Sequence, residues 1–321
     1  MKAWRMTSVG APDVLTLTDM DMPVPAAGEV LIRVTAAGFN PIDTKIRAGI
    51  AAIAPDSGVL GCDVSGVVAA VSDDVTGFRP GDAVFGMAGG VKGTRGALAE
   101  YMTADARLLA RAPGAIPLAE CAALPVAALT ADAALKRLQI RAGDGLFICG
   151  ASGAVGLMTT QMAVQLGCQV QGSAGSAARV ERVARYGGQG ILHSDCAQRG
   201  AQGILFPKVL DTFGGPGFQM ALELAGLYGQ VATTNARAQY DLSQAHAKAL
   251  TLHAIFILLP LLTGNGRESL GQALASVAAG IDAGTLQGLP VESVGMSDVA
   301  AIHSRYEKGE LPDKVVMQAD F

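Results

Sequence analysis

Hydrophobic positions fall into two rhythms along the chain. Up to about residue 115, short β-branched runs alternate with Gly, Pro and Asp. Val30–Ala36 (VLIRVTA) and Val64–Val71 (VSGVVAAV) read as strands, and Gly77–Asp82 (GFRPGD) as a turn leading into a strand that opens with Ala83–Gly86. That spacing predicts an all-β unit, a compact and strongly twisted sheet or barrel. From Leu118 the period lengthens. Leu118–Leu138 reads as helix, and short apolar strands then alternate with amphipathic helices to about residue 260. The strands expected are Gly145–Cys149, Gln169–Ser173, Ile191–His193, Lys208–Asp211 and Gln230–Thr233, with a helix over Val155–Leu166 between the first two. Such alternation predicts an α/β fold with a parallel sheet and right-handed crossovers. A further helix is expected over Glu268–Ala283. The tail, Leu289–Gln318, returns to the texture of the first third and is expected to fold back onto that domain.

A chain of 321 residues suits two domains. Half of it is apolar, yet the excess is spread as Ala and Gly, and the densest stretch, Ala254–Leu262, is broken by Pro260. A membrane span needs about 20 uninterrupted apolar residues, so none is expected. Met1–Thr7 lacks the apolar core of a signal peptide, which points to a cytoplasmic address. The net charge is −4 and no block of Lys or Arg stands out, so nucleic acid is not an expected partner. Cys62, Cys121, Cys149, Cys168 and Cys196 are widely spaced with no CxxC pair, as reduced intracellular thiols are. The four histidines are scattered too, and no HExxH spacing sets two ligands on one helix face, so no bound metal is expected.

The most informative local pattern is Gly150, Ala151, Ser152, Gly153, Ala154, Val155 and Gly156, which follows an apolar strand and opens a helix. Glycines there allow a tight turn and close approach of backbone to a pyrophosphate, while the helix N-terminus favours its negative charge. The spacing is GxxGxxG and not GxGxxG, so the strand–helix–strand frame carries the dinucleotide reading. About 20 residues further on, an NAD-binding chain offers Asp or Glu to the ribose hydroxyls. This chain reads Ser173-Ala174-Gly175-Ser176-Ala177-Ala178-Arg179, with no acid to repel a 2′-phosphate. Ser176 is placed to cap the next helix and Arg179 lies in its first turn, so Gly175, Ser176 and Arg179 form the expected NADPH phosphate site.

Ala37-Gly-Phe-Asn40-Pro41-Ile-Asp43 with Arg47-Ala-Gly49, Gly61–Val68, Val75–Val84, Gly96–Tyr101, Ala122–Ala131, the glycine turn, Val209–Gly215 and Lys314-Val315-Val316 occur in one order along nearly the whole chain. In these segments the sequence resembles the medium-chain dehydrogenase/reductase superfamily, in its zinc-free quinone oxidoreductase (zeta-crystallin-like) branch. The resemblance implies a Rossmann-type doubly wound domain, residues 123–263, inserted into a mostly-β, barrel-like (GroES-like) catalytic domain, residues 1–122 and 264–321, with the nicotinamide in the cleft between them. It places Asn40 beside the nicotinamide ribose and substrate, and Thr130 of Leu129-Thr130-Ala131 near the same ring. It also matches Ser176 and Arg179 to a Ser-x-x-Lys phosphate motif and Ser194 to a phosphate-binding Tyr. Zinc members carry a Cys ligand near residue 39 and a Gly-His-Glu near residue 61, where this chain has Phe39-Asn40 and Gly61-Cys62-Asp63.

Hydride transfer to a quinone needs position more than acid catalysis, because the product oxyanion is stabilised and water protonates it. Asn40 and Thr130 are the expected donors, and Phe39, Ile42, Met87, Phe213 and Phe256 the expected apolar walls. Two other readings remain open. Reduction of an activated C=C bond is one; its enoyl thioester form is disfavoured because Gly49-Ile50-Ala51-Ala52 lacks the Tyr that many such reductases carry after this Gly. A non-catalytic NADPH-binding protein is the other. The apolar run Thr251–Leu259, if it is an edge strand, predicts a homodimer.

Overall fold

Every residue from Met1 to Phe321 is described by the computed structural model, and the chain divides into two units, residues 1–126 with 258–321 and residues 127–257. In the first unit β1 (Lys2–Met6) and β2 (Leu15–Asp19) form an antiparallel hairpin. The ten-residue β3 (Glu29–Gly38) organises the rest. Val30, Ile32, Val34 and Ala36 alternate inward, the period of a half-buried strand. Helix α1 (Pro41–Arg47) leads to β4 (Asp63–Val71), which pairs antiparallel with β3 along one edge and with β5 (Ala83–Met87) on its other side. The second edge of β3 takes β6 (Tyr101–Asp105), and β7 (Leu109–Arg111) extends the sheet from β5. Gly38 is required where β3 ends, because a Cβ there would stand 2.0 Å from the Ala122 carbonyl oxygen.

Leu118–Leu138 is not one helix. A 3₁₀ turn, Leu118–Ala123, precedes α2 (Pro125–Arg137), since Pro125 lacks an N–H and its ring excludes a continuing helix, while its fixed φ suits a first turn. In the second unit follow β8 (Gly145–Cys149), α3 (Ala154–Gln165), β9 (Gln169–Ala174), α4 (Ala177–Arg185), β10 (Gln189–Leu192) and α5 (Cys196–Ala201). Then come β11 (Phe206–Asp211), α6 (Pro216–Leu224), β12 (Ala225–Thr233), α7 (Ser243–Ala247) and β13 (Thr251–Ala254). All six strands are parallel in the order β10-β9-β8-β11-β12-β13, so the winding reverses between β8 and β11. Both faces are covered: Leu146 and Ile148 join one core and Phe147 and Cys149 the other. The five expected strands are present, and the apolar run from Thr251 supplies a short edge strand that turns at Ala254.

The chain then returns to the first unit through α8 (Leu259–Thr263), α9 (Arg267–Asp282), β14 (Val291–Gly295), α10 (Val299–Glu307) and β15 (Lys314–Gln318). β15 pairs antiparallel with the end of β3 at Ala36–Gly38, and β14 lies parallel to β15. The first unit takes in Val126, whose N–H donates to Asp63, and resumes at Leu258, where the Arg267 guanidinium donates to the Pro260 and Leu261 carbonyls. No helix is long and apolar enough to cross a membrane.

Candidate active site

In the second unit the glycine turn joins β8 to α3 at the point where strand order reverses, the place where open α/β sheets bind ligands. Gly150 takes φ +83°, and a Cβ on it would meet Phe213 Cε2 at 2.3 Å and Thr212 Oγ1 at 2.5 Å. Gly156 is closed in by the Gly150 carbonyl oxygen at 2.4 Å from its Cβ position, so only hydrogen fits. Gly153 is different. Its Cβ position has no neighbour nearer than 3.7 Å, leaving open space at the N-cap of α3, where no side chain caps the helix. The Gly150 and Ala151 N–H groups are taken by the Ser173 hydroxyl and carbonyl, at 3.2 and 2.9 Å, which ties the turn to β9. The first turn of α3 begins beyond this tie, at Gly153, Ala154 and Val155, and a helix start offers its N–H groups to an anion.

The end of β9 carries no carboxylate. Ser176 caps α4, accepting from the Arg179 N–H at 3.4 Å. His193, in the 3₁₀ turn after β10, faces Gly175: its Cδ2 lies 3.6 Å from the glycine's Cβ position. Desolvation first and the Arg179 charge second hold this imidazole toward its neutral form. Its ring also meets Phe213 edge-on, with centroids 6.0 Å apart. Ser194, next in the chain, has an exposed hydroxyl that donates to Asp195 at 2.9 Å. His193, a polar residue just past a parallel strand and outside the expected site residues, is set beside Gly175 by the fold.

Asn40 begins α1 in the first unit and is 3% exposed. Its Nδ2 donates to Asp63 Oδ2 at 2.9 Å and to the Gly38 carbonyl at 3.3 Å, and its Oδ1 accepts from Lys314 Nζ at 2.6 Å. The Lys314 ammonium also donates to the Phe39 carbonyl at 2.8 Å and to Asp63 at 3.2 Å. Asp63 Oδ1 receives the Val126 N–H at 2.9 Å. Burial pushes the Asp63 carboxyl above its usual range, against the pull of Lys314, Asn40 and Val126. Asp43, which accepts the Asn40 N–H at 2.9 Å, is pushed up to about 7 by burial, with Asn40 and Lys314 opposing and Asp63 adding to the rise. Cys62 is fully buried, and burial followed by the two carboxylates pushes its thiol far above its usual range, so it is held protonated.

At and beside the positions where zinc members of the superfamily hold ligands, this chain has a buried thiol held protonated, and an amide and a carboxylate bonded to each other and to an ammonium. That set does not fit a zinc ion, which takes three protein ligands in catalytic sites. Nowhere do three His, Cys, Asp or Glu side chains gather in a metal-holding group. Thr130 lies in α2, 5% exposed, in the second unit. Of the expected walls, Phe39 and Met87 are core residues, 4% and 0% exposed; Phe39 packs on His303 and Tyr306, with ring centroids 5.3 and 5.4 Å away. Phe213 and Phe256 are exposed, and Phe213 borders the glycine turn.

Arg47, the last residue of α1, has an architectural role. Its guanidinium is 1% exposed and donates to the Gly10 carbonyl, to Glu307 and to His303 Nδ1, the last at 3.2 Å, which fastens α1 to α10.

Residues 26–114 match the alcohol dehydrogenase GroES-like domain family. An alcohol dehydrogenase superfamily protein from Novosphingobium aromaticivorans has the same fold with a TM-score of 0.92 at 30% identity, over 100% of both chains. The quinone oxidoreductase of Rattus norvegicus is 28% identical over 327 residues, 97% of each chain. The chloroplastic NADPH-dependent alkenal/one oxidoreductase of Arabidopsis thaliana is 38% identical over 170 residues, 51% of this chain and 44% of that one.

Proposed function

The chain belongs to the alcohol dehydrogenase superfamily of oxidoreductases, and from that premise we propose that it transfers hydride from NADPH to a quinone or a similarly activated carbonyl without a metal ion. The observation that carries this reading is the Asn40–Asp63–Lys314 cluster: Asn40 and Asp63, at and beside the ligand positions of zinc members, are already bonded to each other and to Lys314. Bound NADPH supplies the hydride, and with one proton from water a quinone leaves as hydroquinone. The protein's part is to bind and orient. The first turn of α3 would hold the pyrophosphate, and Gly175, Ser176 and Arg179, in a stretch with no Asp or Glu from 173 to 179, would take the 2′-phosphate. Few acid–base side chains are needed, because the reduced acceptor is a stabilised anion. The full-length similarity to a quinone oxidoreductase supports the same acceptor class.

Reduction of a simple enone is the second reading, favoured by the 38% identity to an alkenal/one oxidoreductase. An acceptor series separates the two: NADPH and NADH are each offered with a small quinone and with a simple enone, and nicotinamide absorbance is followed. Faster NADPH oxidation with quinone supports the first reading, and with enone the second. Tight NADPH binding with no turnover by either makes the protein a binder. We also propose a homodimer through the edge of β13, where Leu252 is 38% exposed. A monomeric mass in sedimentation equilibrium would contradict it.

A further inference from the structure

The cluster around Asn40 has a direction. The two Nδ2 hydrogens of the carboxamide are committed, to the Asp63 carboxylate and to the Gly38 carbonyl. Its Oδ1 has two lone pairs and gives one to Lys314 Nζ. Turning the amide over would aim N–H groups at an ammonium and an oxygen at a carboxylate, so both ends oppose a flip. All three hydrogens of the ammonium are used as well, on Phe39, Asn40 and Asp63. The remaining hydrogen-bonding capacity of Asn40 is the second lone pair of Oδ1, an acceptor. The sequence reading gave Asn40 the part of a donor to developing negative charge, which here would require it to release Asp63 or Gly38.

We propose that Lys314 is a positioning residue that clamps the Asn40 carboxamide, so that Asn40 meets the bound coenzyme or substrate as an acceptor for a hydroxyl hydrogen and not as an oxyanion donor. This rests on the reading of Asn40 as part of a reductase site. Lys314 reaches it from the first residue of β15, so the strand that pairs with the end of β3 sets the orientation of an amide at the start of α1. Lys314 acts only through Asn40 and is not itself a catalytic residue.

A double-mutant cycle tests it. Wild type, Asn40→Ala, Lys314→Met and the double variant are compared for kcat/KM with NADPH and a quinone, alongside thermal midpoints. Lys314→Met is expected to lower kcat/KM about 30-fold in the wild-type background, the scale of a hydrogen bond to a charged group, and by less than about threefold once Asn40 is Ala. Lys314→Arg, which keeps the charge, is expected to recover part of the loss. Equal losses in both backgrounds would mean that Lys314 only supports the fold, and would overturn the proposal. Side-chain amide hydrogen exchange of Asn40 in the wild-type protein needs neither a variant nor turnover. Slow exchange of both Nδ2 hydrogens is expected, and exchange at the rate of a solvated amide would overturn the clamp. A wild-type protein that turns over no acceptor while those hydrogens stay protected would remove the reductase reading and leave the clamp standing.

Discussion

The backbone N–H of Asn40 donates to Oδ2 of Asp43 at 2.9 Å, and the carboxylate that closes this first turn of α1 is 2% exposed. Burial raises the Asp43 pKa from 3.8 to about 7, so between those values the folded state binds a proton that the unfolded state has released. The stability this contributes is present at acid pH and is lost as pH rises through 7. Asp43→Asn keeps an acceptor for the Asn40 N–H and removes the ionisation. Denaturant unfolding across pH 4 to 8 should show the variant gaining on the wild type as pH rises, by ~2–4 kcal/mol over the range. A difference that stays flat with pH would contradict the burial argument.

His303 works in the opposite sense. Burial, and then the Arg47 charge, lower its pKa from 6.5 to about 3, so the unfolded state binds the extra proton and stability is lost as pH falls below about 6.5. Wild type should therefore lose stability relative to His303→Gln between pH 7 and pH 4. Arg47→Met removes three hydrogen bonds made by one buried guanidinium, and should cost ~2–4 kcal/mol at neutral pH, read as a lowered midpoint of unfolding. A loss below about 0.5 kcal/mol would show that the α1–α10 tie carries no stability.

The second and third glycines of the turn into α3 should respond differently to the same substitution. Gly156→Ala sets a Cβ 2.4 Å from the Gly150 carbonyl oxygen and is expected to destabilise by ~1–3 kcal/mol and to weaken NADPH binding. Gly153→Ala has φ −79° and open space at its Cβ position, so its unfolding midpoint without coenzyme should match the wild type. NADPH added to each in thermal unfolding then separates damage to the fold from crowding of the helix start. Equal destabilisation by both would sink the distinction.

Coenzyme choice should reside in Arg179 more than in Ser194. Arg179→Gln is expected to lower the ratio of kcat/KM for NADPH over NADH by ~10- to 100-fold, the scale of a charge-assisted bond to phosphate. Ser194→Ala should change it by less than about twofold, because that hydroxyl is already engaged with Asp195. A larger effect from Ser194 than from Arg179 would reverse the assignment.

Local patterns were readable in the chain where they arise from local physics. The strand Gly145–Cys149, the glycine turn and the Ser176 cap are set by period, turn chemistry and capping, all within a few residues of each other. Pro125 was equally legible as a break, but the alanine-rich run around it reads as one helix. What the sequence did not display is pairing over distance. Lys314 stands 274 positions from Asn40 and Arg47 stands 256 from His303, so neither contact leaves a spacing to read. Phe39 and Met87 illustrate the same limit: an aromatic or a Met beside a site motif looks the same whether it faces a ligand or the core.

The central claim is hydride transfer from NADPH without a metal ion. Its most direct test is the initial rate of NADPH oxidation by a small quinone, measured on protein stripped with a strong chelator and checked for metal content, then remeasured after zinc is added back. The account predicts one rate in the untreated, the stripped and the zinc-supplemented protein, with NADPH preferred to NADH. A rate that disappears on chelation and returns with zinc would contradict it.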